Sequence, residues 1–260
     1  MKFFLIAKLV MLRYKYAYLF LKRNLLIKPN KIGSVKRFKT KDRIVICGNG
    51  PSYEIFEEEF MRGNYNEFNT LLLNYGAFES KVKIDFHVSE LPRKRDDVLE
   101  FISNLEKIGP EICKILRPRD RQEASLVRKK RIGNLHFIRE KRIRQNSKKL
   151  FDTDLKQFGS GNVIFCRSSI VYATLFALEL GYTEILYVGI NPDVNSSWCS
   201  NEEGSRKFHA ERVIGKEEVH PTFKKVGGIN SYDVLKFISR SNLFKGVEFK
   251  IAAGCYDFLK

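Results

Sequence analysis

From Arg43 to the C-terminus, short apolar runs of strand length alternate with longer stretches of helical spacing, and this alternation constrains the fold more than any other feature. "RIVIC" precedes the helix-like "SYEIFEEEFMRG", and "NTLLLNYGAF" and "KIDFHVSE" are two further strands. "DDVLEFISNLEKIG" leads into "EICKILR", "SSIVYATLFALELGY" into "EILYVGINPD", and "SYDVLKFISRSNLF" into "VEFKIAAG". Continuously apolar strands belong in a sheet covered on both faces, and strands separated by helices pair in parallel. The expected fold is α/β: a mostly parallel sheet with helices on both faces, preceded by a basic-apolar N-terminal helix. The expected division is residues 1–40 as helix and linker, then a single domain over 41–260. That domain carries a basic insertion at about 114–149 and a lid at about 192–228.

The formal charge of +17 is concentrated in two segments. Twelve Lys or Arg residues precede Asp42, the first acidic residue, and the 114–149 block holds fourteen basic residues against Asp120, Glu123 and Glu140. In the leader "MKFFLIAKLVMLRYKYAYLFLKRNLL", cations interrupt the apolar residues before a membrane-spanning length is reached. No small-residue cleavage site follows a compact apolar centre. Lys8, Lys15 and Lys22 recur every seven residues on one helical face, which suits a helix lying in an anionic membrane interface. The other reading of this leader is a helix packed on the domain or on a partner chain. Pro29 and Gly33 would close it, and "SVKRFKTKD" reads as a linker. The basic block has only Phe137 to offer a base for stacking, so acidic lipids or glycans suit it better than nucleic acid. Five scattered cysteines without a C-x-x-C pair point to reduced thiols, with Cys47 and Cys166 as buried small hydrophobes.

In parallel α/β sheets, ligands sit at the carboxyl ends of the strands, where the GNGPS, NYG, HVSE and GINPD segments fall. In "IVICGNGPSYEIF", the glycines permit close backbone approach, the helix start favours an anion, and Ser52 can cap that helix. The turn is neither a Walker A loop nor a complete G-x-G-x-x-G fingerprint, and a tight turn without a ligand explains it equally well. "FDTDL", with Asp152 and Asp154, reads as a capped loop rather than a metal site. Of four histidines, His87 ends the third strand and His136 is structural. His209 and His220 fall in the polar stretch after GINPD, where a lid would carry a general base. The absence of a G-x-S-x-G elbow or a catalytic Cys signature argues against simple hydrolases.

Taken together, "IVICGNGPS", the Asn of "LLNYGAF", "CRSSIVYATLFALELGYTEILYVGIN", "NSSW" and "FKIAAGCYDF" resemble the bacterial sialyltransferases of glycosyltransferase family 42, over much of residues 43–95 and 160–260. The GNGPS turn also occurs in a pterin-diphosphokinase-like group that shares the nucleotide-binding half. The family-42 resemblance implies a Rossmann-like domain with a small lid, and an inverting transferase of surface-glycan assembly, such as lipopolysaccharide biosynthesis, that uses CMP-sialic acid or a related nucleotide sugar without a metal. It implies nucleotide contacts from Asn49 and Gly50, and places Asn74, Ser168 and Ser169 around the cytidine and ribose. Pro51, Ser52, Gly189, Asn191 and Trp198 complete the expected binding set. His220, with His209 in reserve, would deprotonate the acceptor hydroxyl.

The chain departs from the family in the lid and at the phosphate contacts. It has Asn191 for an Asp, and Asp193 and Trp198 near the places of two phosphate-holding tyrosines, so Arg206 or Lys207 would supply the countercharge. The expected partners are a nucleotide sugar, a glycan or glycolipid acceptor and an anionic membrane surface, with no nucleic acid; a homo-oligomer is compatible with the sequence. The expected location is cytoplasmic, peripheral on the inner face of a bacterial membrane. The rival readings are a pterin- or nucleotide-diphosphokinase-like enzyme and a non-catalytic nucleotide or glycan-lipid binding protein.

Overall fold

The computed structural model of the protein describes residues 29–50, 52–78, 80–92, 95–118, 121–138, 140–142, 155, 158–161, 163–165, 168–190, 230–253, 255 and 257–259. The elements are β1 Arg43–Cys47, α1 Ser52–Met61, β2 Phe68–Leu73, β3 Phe86–Glu90, α2 Arg95–Lys107, β4 Cys113–Arg117 and α3 Arg121–Lys129. They continue with β5 Leu135–His136, β6 Glu140–Arg142, β7 Val163–Phe165, α4 Ser169–Glu179, β8 Glu184–Val188, α5 Ser231–Ser239 and β9 Glu248–Ile251. Seven strands form one sheet in the order β5-β4-β3-β2-β1-β8-β9, and every pairing in it is parallel. β6 and β7 pair separately, also in parallel.

Pleating sends alternate residues of each strand to opposite faces. Ile44 and Ile46 of β1 join Leu71, Phe86, Val88, Ile115 and Ile185 in a core shared with α4 and α5. Val45 and Cys47 point the other way, to Leu72, Leu186 and Val188, where Tyr53 and Phe56 of α1 cover them. Residues of α2 and α3 extend that second layer over Leu116. The strands are therefore apolar on both sides because both sides are covered, as the sequence pattern requires.

Helix α4 packs across β1, β2 and β3 and against α5. Ile170 through Leu178 are all buried, so this helix has no solvent face to show. Its one polar interior residue, Thr174, donates to the Ile170 carbonyl at 2.9 Å and pairs with the Tyr187 hydroxyl at 3.0 Å. Asn69, a polar residue inside β2, is fully buried because its carbonyl oxygen accepts from the Thr40 and Lys41 amides and the Tyr182 hydroxyl. A buried amide side chain is tolerated when its groups are paired in this way. α5 is closed at its start by a capping box, in which Asn230 accepts from the Tyr232 and Asp233 amides and Asp233 accepts from the Asn230 amide.

The structure corrects two expectations. The stretch expected to close the leader helix and begin the linker forms a 3-10 helix, Ile32–Phe38, with Ile32 and Val35 buried in the core. Residues three apart share one side of such a helix, so Ile32 and Val35 face the core together while Lys36 and Arg37 stay exposed. The second strand stops at Leu73, and Asn74–Phe78 form a 3-10 turn. The described part of the 114–149 block enters the sheet as β4, the strand expected at "EICKILR", and as β5, and it adds α3 and β6. Lys114 is 1% exposed, its ammonium donating to the Gly109 and Gly133 carbonyls, and burial lowers its pKa.

Candidate functional site

The strand order contains one topological switch point. The chain moves outward from β1 through β2, β3, β4 and β5, then returns to place β8 and β9 on the other side of β1. In open α/β sheets the crevice outside the carboxyl ends at such a point receives the ligand. Here it lies between the ends of β1 and β8, where Cys47 is in register with Val188, and Gly48–Gly50 follow one strand and Gly189 the other.

These two turns are joined to each other. The Gly48 amide donates to the Val188 carbonyl at 2.8 Å, and the Gly50 amide donates to the Gly189 carbonyl at 2.7 Å. A Cβ on Gly48 would collide with the Gly189 carbonyl, and one on Gly189 would lie 2.5 Å from the Gly48 carbonyl oxygen. Gly189 also has φ +64°, which glycine adopts without steric cost. The Gly189 amide donates to Ser52 Oγ at 3.0 Å, and that hydroxyl touches Cys255 Sγ at 2.9 Å. Ser52 is thus buried and binds the starts and ends of three neighbouring segments together, and the amides of Gly48 and Gly50 serve the same junction. The sequence alone suggested that these amides face a ligand; in the structure they close the floor of the crevice.

Asn49 stands at the crest of this turn, half-buried, between two glycines engaged in the junction. On the β2 side, Asn74 sits just past the strand end with φ +51°, a left-handed conformation that Asn tolerates better than most residues. The buried His87 of β3 holds it there, its Nε2–H donating to the Asn74 carbonyl at 2.6 Å. The carbonyl accepts only, so this bond fixes the Nε2–H tautomer. Phe78 and Phe101 flank the ring. Burial lowers the His87 pKa to about 4, outweighing the carbonyl bond, and nearby Lys114 adds to the lowering. His87 lies inside β3 rather than at its end, and the residue at the edge is Glu90.

Helix α4 precedes β8 and runs antiparallel to the strands, which brings its first turn to the same carboxyl edge. Ser168 is its N-cap residue, its carbonyl accepting from the Tyr172 amide at 3.0 Å, and both Ser168 and Ser169 are half-buried. Beside them is a group that the sequence reading did not single out. Arg117, the last residue of β4 and 2% exposed in its side chain, bonds Glu140 at 2.8 Å through Nε and Glu90 at 2.5 Å through Nη1. Its guanidinium lies 4.1 Å from the ring centroid of Tyr172 in the first turn of α4. The available signal was an arginine ending a strand whose other residues, Lys114 apart, are apolar, which the surrounding basic residues masked.

The strand and helix directions therefore bring Asn49, Gly50, Ser52, Asn74, Ser168, Ser169 and Gly189 to one edge of the sheet. His209, His220, Asn191, Trp198 and Pro51 lie outside the described residues, as do the lid at 192–228, the Asp152–Asp154 pair and residues 1–28. Among the described residues no group of three His, Cys, Asp or Glu side chains gathers as metal ligands, and no helix is long and apolar enough to cross a membrane.

No protein-family model matches the chain, and a search of curated proteins returns no match. Among solved structures, the chain is similar to the sialyltransferase CstII from Campylobacter jejuni in complex with a substrate analogue, cytidine-5'-monophosphate. That likeness has 16% identity and a TM-score of 0.44, over 80% of this chain and 79% of that one. The monofunctional α-2,3-sialyltransferase Cst-I from Campylobacter jejuni matches at 17% identity and a TM-score of 0.44, over 84% of this chain and 78% of that one. Both describe what the chain is similar to and assign none of its residues.

Proposed function

We propose that the chain is an inverting glycosyltransferase, sialyltransferase-like, which moves a sugar from CMP-sialic acid or a related nucleotide sugar to a cell-surface glycan or glycolipid. The observation that carries the proposal is the crevice at the switch point. It has a floor of Gly48, Gly50 and Gly189 that excludes side chains, with Asn49, Asn74 and the first turn of α4 around it. Amide and hydroxyl side chains suit a base edge and a ribose, which offer both donors and acceptors. The sequence resemblance supports the donor class.

In this reading Asn49 and Asn74 orient the nucleotide and Ser168 and Ser169 meet its cytidine and ribose. His220 takes the proton from the acceptor hydroxyl as that oxygen attacks the anomeric carbon. The bond to the CMP phosphate breaks on the opposite face, inverting the centre through an oxocarbenium-like transition state. Arg206 or Lys207 balances the charge developing on the departing phosphate. The chemistry proposed needs no metal, and the protein works at the inner face of a bacterial membrane.

The test is transfer from CMP-sialic acid to a panel of glycan acceptors by the wild-type chain and by His220→Ala. The proposal expects kcat to fall 100-fold or more, on the order of the contribution of a positioned general base, with CMP affinity unchanged. Equal turnover by both proteins would remove His220 from the mechanism.

A further inference from the structure

The edge of the sheet opposite the crevice is electrostatically uneven. Around β1, β8 and β9 it carries several ion pairs: Arg43 with Glu67 and Glu184, Lys39 with Asp42, and Lys250 with Glu184 and Glu248. Around β4 and β5 the balance differs. α2 and α3 both end there, as shown by Lys130 Nζ lying 3.9 Å from Glu106 and by Lys114 reaching the turns at Gly109 and Gly133. The 3-10 helix joins the same corner, because Arg37 donates to Asn134 Oδ1 at 3.1 Å just before β5. Lys36, Arg37, Lys107, Lys129, Lys130 and Arg131 are all exposed at this corner, against Glu106 and Glu111.

Two further observations choose the partner. Two aromatic rings here already carry a cation: the Arg37 guanidinium lies 4.9 Å from the centroid of the half-buried Phe38 ring, and that of Arg128 lies 5.1 Å from the centroid of Phe137, which is buried. The corner thus presents charge without stacking platforms, which single-stranded nucleic acids require. Asn30 pairs in parallel beside Ile138, its amide donating to the Phe137 carbonyl at 2.6 Å, so the chain enters the folded body along β5 and next to this corner. Upstream of that point the sequence carries seven Lys or Arg residues, no acidic residue and many Leu, Phe and Tyr.

We infer that this β4–β5 corner is a docking surface for anionic phospholipid headgroups, acting with the leader as a second, independent contact. It turns the crevice, at the opposite edge of the sheet, away from the lipid. Each Lys or Arg held near an anionic bilayer adds about fivefold to binding, and a second contact converts weak partitioning into stable attachment.

The experiment is co-sedimentation of the full chain with phosphatidylglycerol-containing vesicles. Wild type is compared with Lys36→Gln/Lys129→Gln/Arg131→Gln and with a control of equal net charge, Arg62→Gln/Lys81→Gln/Lys245→Gln. All six positions are exposed, and circular dichroism checks the fold of each variant. The inference expects the corner variant to lose on the order of 100-fold in partitioning, with the control close to wild type. Equal partitioning by the two variants overturns it, because the corner then contributes no more than its net charge. A salt series on the two variants supplies a second reading: a shallower salt dependence for the corner variant than for the control supports the inference, and equal dependence overturns it. Tighter binding of wild type to a poly(U) RNA than to vesicles at the same salt would also overturn it, in favour of nucleic acid.

Discussion

His87 and Asn74 show how a buried titratable side chain can shape a surface without touching a ligand. The imidazole is enclosed by Phe78 and Phe101, stays neutral and donates its one N–H to a backbone carbonyl in a left-handed residue. Its pKa near 4 lies below the ordinary value of 6.5, so the unfolded chain binds more protons between those limits. The stability that His87 contributes is fully present above pH 6.5. It is lost progressively as the pH falls to about 4 and is flat below that, amounting to about 3 kcal/mol at most. A histidine ring titration by NMR should place His87 near 4; a midpoint near 6.5 would mean that the ring is hydrated and does not hold Asn74. From sequence, His87 read as the end of a strand with a functional role. The distinction between a catalytic and a supporting histidine was not legible, because it depends on Asn74 being brought alongside by the pairing of β2 with β3.

At the scale of elements, Arg117 joins the end of β4 to β3 through Glu90, to β6 through Glu140 and to α4 through Tyr172. Burying a guanidinium is tolerable here because its fork meets two carboxylates and its plane meets an aromatic face. Removing one partner leaves the other charge buried. Arg117→Met should therefore destabilise the protein by about 3–5 kcal/mol, and Arg117→Met/Glu140→Met should recover much of that loss. Urea denaturation checks both; additive losses in the double variant would show that the pair makes no coupled contribution. The strands and helices with long apolar runs were legible in the sequence, α4 above all. β6 was not, since "EKR" carries three charged residues in three positions, and β7 is equally short. Their pairing is set by contacts distant in sequence, which local patterning does not report.

For the whole molecule, the alternation of strand and helix implied a parallel sheet, and the sheet order then places the crevice between β1 and β8 without reference to any other protein. GNGPS and GINPD were visible as candidate site segments from their position at strand ends. Their junction through Gly48, Gly50, Gly189 and Ser52 was not, because it depends on two turns more than a hundred residues apart meeting in register. Under the proposed function this crevice holds a cytidine nucleotide against Asn49. Isothermal titration of the wild-type chain and Asn49→Ala with CMP, UDP, GDP and ATP, with and without Mg²⁺, decides whether it does. CMP should bind in preference to the other three without Mg²⁺, weakened about tenfold or more by Asn49→Ala through loss of a paired polar contact. Preferential, Mg²⁺-dependent binding of ATP, or CMP binding unchanged in Asn49→Ala, would rule the cytidine site out.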